Sequence, residues 1–257
     1  MLSHVFLRGP RIKRLVFYTM VALLLGLHPA SSSLLSTFHV LQPAEGSPQA
    51  VMYHLVVEEP FTGNAELFYR PADFEAQLQA LNDAGYTFLF ADQREKAAGP
   101  SVILTFDDGY ADNYTTVFPL LKKYNAKATI FMVSGQVDKE GYLTADQLRE
   151  MADSGYVLIG SHTVTHRALT DLPAEEVQRE LADSQQALAE LLGREVTAFA
   201  YPYGAWDPAV ALKAARYYDY CYTTTSPPCT PAYTNWNIPR YHMVRSEGPS
   251  ISLLTGE

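Results

Sequence analysis

The sequence predicts an α/β protein: a parallel sheet with helices packed outside it. Two observations carry this. From residue 50 onward, short apolar runs alternate with stretches of helical spacing, the pattern of consecutive strand-helix units. The residues able to do chemistry also fall at or just after the ends of the predicted strands, where parallel α/β folds gather their sites. Repeated units of this kind either close into a barrel or stay open.

Taken in order, Ala50 to Val57 reads as a buried strand. Pro71 to Ala84 carries Phe74, Leu78 and Leu81 at helical spacing and stops at Gly85. Val102 to Phe106 is a strand, Asn113 to Tyr124 a helix and Ala128 to Val133 a strand. Thr144 and Gln147 form a capping box opening a helix that ends at Gly155. Val157 to Gly160 is a strand, and Pro173 to Leu192 a long amphipathic helix stopped by Gly193. Val196 to Ala200, Asp207 to Arg216 and Tyr220 to Thr224 repeat strand, helix and strand.

The 257 residues are 47% apolar and 18% charged, enough to build a substantial core. All four basic residues before position 41 (Arg8, Arg11, Lys13, Arg14) precede an apolar run, with no acidic residue among them. The remainder holds 19 − 4 = 15 basic against 28 acidic residues, a net charge of −13. So acidic a body is a poor partner for nucleic acid or an anionic polymer. Leu15 to Leu27, followed by His28-Pro29-Ala30-Ser31, has the layout of an export signal. The apolar stretch Ser33 to Leu41 could extend it into an uncleaved anchor. We therefore expect residues 1–41 to be an export signal or membrane anchor and 42–49, with Pro43, Gly46 and Pro48, a linker. The folded domain is 50–257, an extracellular or cell-surface monomer touching membrane only through its amino-terminal segment. Cys221 and Cys229 are close enough in sequence to close a short loop or to stay unpaired.

Two motifs carry the chemistry. Thr105-Phe106-Asp107-Asp108-Gly109 places adjacent carboxylates at a strand end, and Ser161-His162-Thr163-Val164-Thr165-His166 places two histidines four apart. Adjacent carboxylates repel unless a cation or a proton intervenes. Successive strand residues point to opposite sides, so one can bind a metal while the other faces a substrate. The histidines share a face if their segment is helical. Asp108, His162 and His166 make the three-ligand set of a mononuclear catalytic centre, with Asp107 left beside it as a general base. Such ligands accept Zn²⁺, Co²⁺ or Ni²⁺.

With Phe199-Ala200-Tyr201-Pro202-Tyr203-Gly204 as a third segment, the chain resembles the polysaccharide deacetylases, the family 4 carbohydrate esterases with the NodB homology domain. The resemblance spans about Ala50 to Val244. It implies a distorted (β/α) barrel, one divalent metal ion (zinc foremost), and hydrolysis of N-acetyl groups on a glucosamine-containing polysaccharide. Two departures stand out. Ala200 occupies the place of the Arg that orients the family's base, and no Leu-x-His follows Gly204. Val51-Met52-Tyr53-His54 ahead of the first motif instead resembles the circularly permuted branch that includes deacetylases of biofilm poly-N-acetylglucosamine. Pro71 to Leu78 resembles that branch's first helix.

On that resemblance His54 is the general acid, with His242 as its rival, and Arg240 takes over as partner of Asp107. The backbone N–H of Tyr203 is the oxyanion donor. Tyr53, Tyr110, Trp206 and Trp236 are candidates to stack on sugar rings. Poly-β-1,6-N-acetylglucosamine is the expected polymer, with peptidoglycan, chitin oligomers, an O-acetyl ester or a silent carbohydrate-binding surface as alternatives.

Overall fold

The computed structural model describes residues 48–58, 67–226 and 234–243. The expected export segment, most of the linker and Cys229 lie outside them. The main sheet is eight-stranded and parallel in all its pairings, with the order β10-β1-β5-β6-β7-β8-β9 and β4 alongside β5. Its strands are β1 (Gln49–Tyr53), β4 (Thr87–Phe88), β5 (Ser101–Asp108), β6 (Ala128–Met132), β7 (Val157–Ser161), β8 (Ala198–Ala200), β9 (Tyr220–Tyr222) and β10 (Tyr241–His242). Outside them lie α1 (Pro71–Asp83), α2 (Phe118–Lys123), α3 (Ala145–Asp153), α4 (Ala174–Leu192) and α5 (Pro208–Ala214). The stretch before β10 also bridges in parallel to β9 through Tyr222 and Ile238, so the segment 238–242 joins the first strand of the sheet to the last. This is the distorted (β/α) barrel.

Alternation along the strands sorts their side chains into two layers. Ala50, Ile103, Phe131, Ala198, Ala200, Tyr222 and Ile238 form one cluster in the lumen. Val51, Tyr53, Leu104, Phe106, Ile130, Ile159 and Phe199 form the larger one beneath the helices. Both faces are buried, which is why these strands read as continuous apolar runs.

Several local signals act as expected. Thr144 and Gln147 form a reciprocal capping box at α3, and Asp207 caps α5 by accepting from Val210 N–H. Gly193 ends α4 in the left-handed conformation. Three elements differ. The strand expected over 50–57 breaks at His54; Leu55–Val56 (β2) leaves the main sheet and pairs with Phe68–Tyr69 (β3). The helix expected from Asn113 opens with a π-helical turn over Asn113–Val117 before α2 begins. Strand β5 runs two residues further than its apolar pattern, so Asp107 and Asp108 are its last two members.

Candidate metal centre and active site

The site is a cavity of about 470 Å³ at the carboxyl ends of the strands. His54, Asp107, Asp108, His162, His166 and Tyr203 line it, with Tyr110, Gln136 and Tyr142 on one side. Asp107 points into the lumen by strand alternation. Asp108, the next residue, would point out, but its φ of 72° lies in the left-handed region and redirects the end of the strand.

The segment 162–166 is not helical, so the spacing rule is not what joins the two histidines. His162 follows directly on β7, and its Nδ1 bonds to Ala200 O at 2.8 Å, which leaves Nε2 to face Asp108. His166 arrives on a loop with positive φ at Thr163 and at His166 itself. Asp108 Oδ1 lies 3.5 Å from His162 Nε2 and 3.2 Å from His166 Nε2. Donor atoms from these three residues all fall within 4.8 Å of one another.

The Asp108 Oδ1 is buried and lacks a hydrogen-bond partner, an arrangement that is costly unless something positive sits there. Burial and the charge of Asp107 push the Asp108 carboxyl up to about 6, and burial lowers His162 to about 3 and His166 below its ordinary value. One unpaired oxygen and two neutral imidazoles converging on a point fit a divalent cation. Tyr110 lines the cavity beside Asp108 and stacks on Tyr142 at 5.2 Å.

Asp107 is held from the opposite wall. Arg240 donates to both its oxygens at 2.7 Å, to Thr105 Oγ1 at 3.0 Å and, from Nε, to Thr223 O at 2.9 Å. The guanidinium is fully buried and lies over the Phe131 ring. Burial alone would raise the Asp107 carboxyl. The charge of Arg240 and its hydrogen bonds outweigh it and hold the group well below the usual carboxylate range. Arg240 thus reaches Asp107 from the segment just before β10 and not from the strand bearing Ala200.

His54 enters where β1 ends. Its Nδ1 is buried without a hydrogen-bond partner, and burial lowers its pKa against the pull of Asp107 and Asp108. His242 packs edge-on against it at 5.6 Å but does not line the cavity. Two residues beyond the first motif fix the backbone around His54: Asp112 Oδ2 accepts from Val56 N–H at 2.8 Å, and Asn113 Nδ2 donates to His54 O at 3.3 Å. Our motif reading missed both. Their only signal is that two polar residues open what reads as a helix.

Three of the four ring-stacking candidates lie away from the cavity. Tyr53 points outward from β1 and is fully buried, stacked on Phe106 and bonded to Gln77. Trp206 packs against the core and does not line the cavity. Trp236 also packs there, donating from Nε1 to Tyr218 O. The exposed ring at the cavity is Tyr203, 68% accessible and 4.7 Å from His166. Its φ of 58° sets a left-handed turn, completed by Gly204, where any Cβ would strike Thr224. Cys221 is a buried free thiol.

Comparison with known proteins settles the family. The polysaccharide deacetylase family model matches residues 94–223, half of the chain. The chain belongs to the polysaccharide deacetylase family. It is 36% identical over 185 residues to YxkH of Bacillus subtilis, a protein named as a polysaccharide deacetylase, covering 69% of this chain and 64% of that one. It therefore spans just under two thirds of that relative's length. It is 27% identical over 232 residues to a poly-beta-1,6-N-acetyl-D-glucosamine N-deacetylase of Staphylococcus aureus, covering 78% of this chain and 80% of the relative. The solved structure of the Streptococcus pyogenes deacetylase PplD in complex with acetate matches with a TM-score of 0.75 at 30% identity, covering 82% of this chain and 98% of that one. The family-model match includes Asp107, Asp108, His162, His166 and Tyr203 and leaves out His54, which lines the same cavity, and Arg240, which bonds to Asp107.

Proposed function

We propose that this deacetylase family member hydrolyses the N-acetyl amide of a glucosamine-containing polysaccharide, with poly-β-1,6-N-acetylglucosamine as its polymer, and releases acetate. The observation that carries the reading is the division of labour between adjacent carboxylates. Asp108 joins His162 and His166 around one point, and Asp107 is tied to Arg240 and kept ionised beside it. A divalent cation on Asp108, His162 and His166 would polarise the acetyl carbonyl and acidify the attacking water. Asp107 takes the proton from that water, held in place by Arg240. The Tyr203 N–H, in its left-handed turn on the cavity wall, donates to the oxyanion. His54 protonates the departing amine. Burial keeps it neutral at rest, so the proton it delivers is gained during turnover.

The choice of polymer is supported by the Staphylococcus relative, whose likeness covers 78% of the chain rather than the metal motifs alone. Export through Leu15 to Leu27 belongs to the same reading, since such a polymer lies outside the cell.

The test is acetate release by the full-length protein from β-1,6-linked N-acetylglucosamine oligomers beside peptidoglycan fragments, metal-loaded and chelated. Metal-dependent release from the oligomers is expected. Release from peptidoglycan fragments alone would keep the chemistry and overturn the polymer. No release from either would overturn both.

A further inference from the structure

Glu180 is a violation of pattern. Helix α4 turns Val177, Leu181, Ser184 and Leu188 to the interior, and an acidic residue sits among them, 8% exposed. A carboxylate is rarely placed so unless its oxygens are satisfied by something that needs them. Here they are satisfied by the histidine loop. Glu180 Oε2 accepts from Val164 N–H at 2.8 Å and from Thr165 N–H at 2.9 Å, and Oε1 accepts from the Thr165 hydroxyl at 2.5 Å.

These bonds join α4 to the loop that carries His166. His162 is fixed by β7 and by its own bond to Ala200 O, whereas His166 is four residues into a loop with two positive-φ residues. Within the loop, Thr163 Oγ1 accepts from His166 N–H at 3.0 Å, and two further supports reach the loop from outside. Thr163 O accepts from Ser134 N–H at 3.0 Å, and Val164 O accepts from Gly135 N–H at 3.1 Å, an approach so close that a Cβ on Gly135 would lie 2.4 Å from that oxygen. Those clamps hold carbonyls; the N–H groups of Val164 and Thr165, just before His166, are held by Glu180.

We infer that Glu180 is a positioning residue for the metal centre: its carboxylate fixes the 164–165 turn and so places His166 Nε2 opposite Asp108. The inference rests on the metal reading of Asp108, His162 and His166. Removing a partner that orients a metal ligand typically weakens affinity 10- to 100-fold. We expect about that loss in Glu180→Leu, a shape-preserving apolar change. Glu180→Gln, whose amide oxygen still accepts from both N–H groups, should recover most of it.

Metal affinity of the full-length protein is read by calorimetry with Zn²⁺, and ligand geometry by the visible spectrum with Co²⁺. The deciding measurement is the pair with His166→Ala. If Glu180 acts through His166, Glu180→Leu weakens binding in the wild-type background and adds nothing in the His166→Ala background. An equal loss in both backgrounds, or wild-type affinity with only a lowered melting temperature, would overturn the inference and leave Glu180 a general prop of the fold. Failure of the wild type to bind metal would instead overturn the metal reading together with it.

Discussion

The wall of the cavity that holds the candidate metal ligands and the side formed by His54, with Arg240 behind Asp107, are built from very different lengths of chain. Asp108, His162 and His166 come from the ends of β5 and β7 and the loop after β7, with only β6 between those strands. Each sits in a compact motif. His54 and Arg240 lie 186 residues apart and meet because β10 pairs with β1, Met52 beside His242. The first wall is an arrangement of neighbours. The second exists only when the chain's two ends have been brought together. A motif therefore announces a candidate ligand set, whereas the residues proposed to tune the base and supply the acid come together only through the sheet order.

The sharpest way to break the comparison is at Asp107, which belongs to the first wall by sequence and to the second by its bonds. Asp107→Asn should lower kcat by about 10²- to 10⁴-fold, while metal affinity by calorimetry stays near wild type. Parallel loss of both would show that the adjacent carboxylates do not divide the work.

Arg240→Met tests the second wall directly. It strands a buried carboxylate, an effect of about 3–5 kcal/mol on stability, measured by denaturant unfolding. The pH dependence should change with it. In the wild type the Asp107 carboxyl is depressed in the folded state, so its contribution is fully present above the unfolded value of about 3.9. That contribution is lost as pH falls below this value. Without the guanidinium, burial dominates: Asp107 titrates higher, that low-pH dependence disappears, and the acid limb of kcat/KM moves to higher pH. An unmoved limb would mean that Arg240 does not set the protonation of Asp107.

The smallest expected effect is at Asp112, which links the walls by holding Val56 N–H. Asp112→Ala leaves that buried donor unsatisfied, at about 1–3 kcal/mol, and should lower kcat through His54 with metal affinity unchanged. Burial raises the Asp112 carboxyl to about 6, so the native state binds its proton more tightly than the unfolded chain does. Its ionisation destabilises the fold as pH rises through 6. Asp112→Asn, which keeps an acceptor for Val56, should therefore gain stability over the wild type above pH 6 and none below about 4. A difference independent of pH would refute that titration.

The fold class, the order of the main strands and helices, the capping box at Thr144 and the cluster of Asp108, His162 and His166 were legible in the chain, because each is encoded within a few residues. Periodicity reports burial, and adjacency of chemical groups reports a site. The face that Tyr53 presents was not legible: both faces of these strands are buried, so nothing in composition separates outward Tyr53 from inward Met52. The loop geometry of His162 and His166 escaped the spacing rule for the same reason, since four residues apart is a helical distance only in a helix. The contact of Arg240 with Asp107, the tethering of His54 by Asp112 and Asn113, and the grip of Glu180 on the histidine loop depend on which strands pair and where each ends. Those are long-range choices, made by packing a closed sheet against its helices, and no local stretch of sequence contains them.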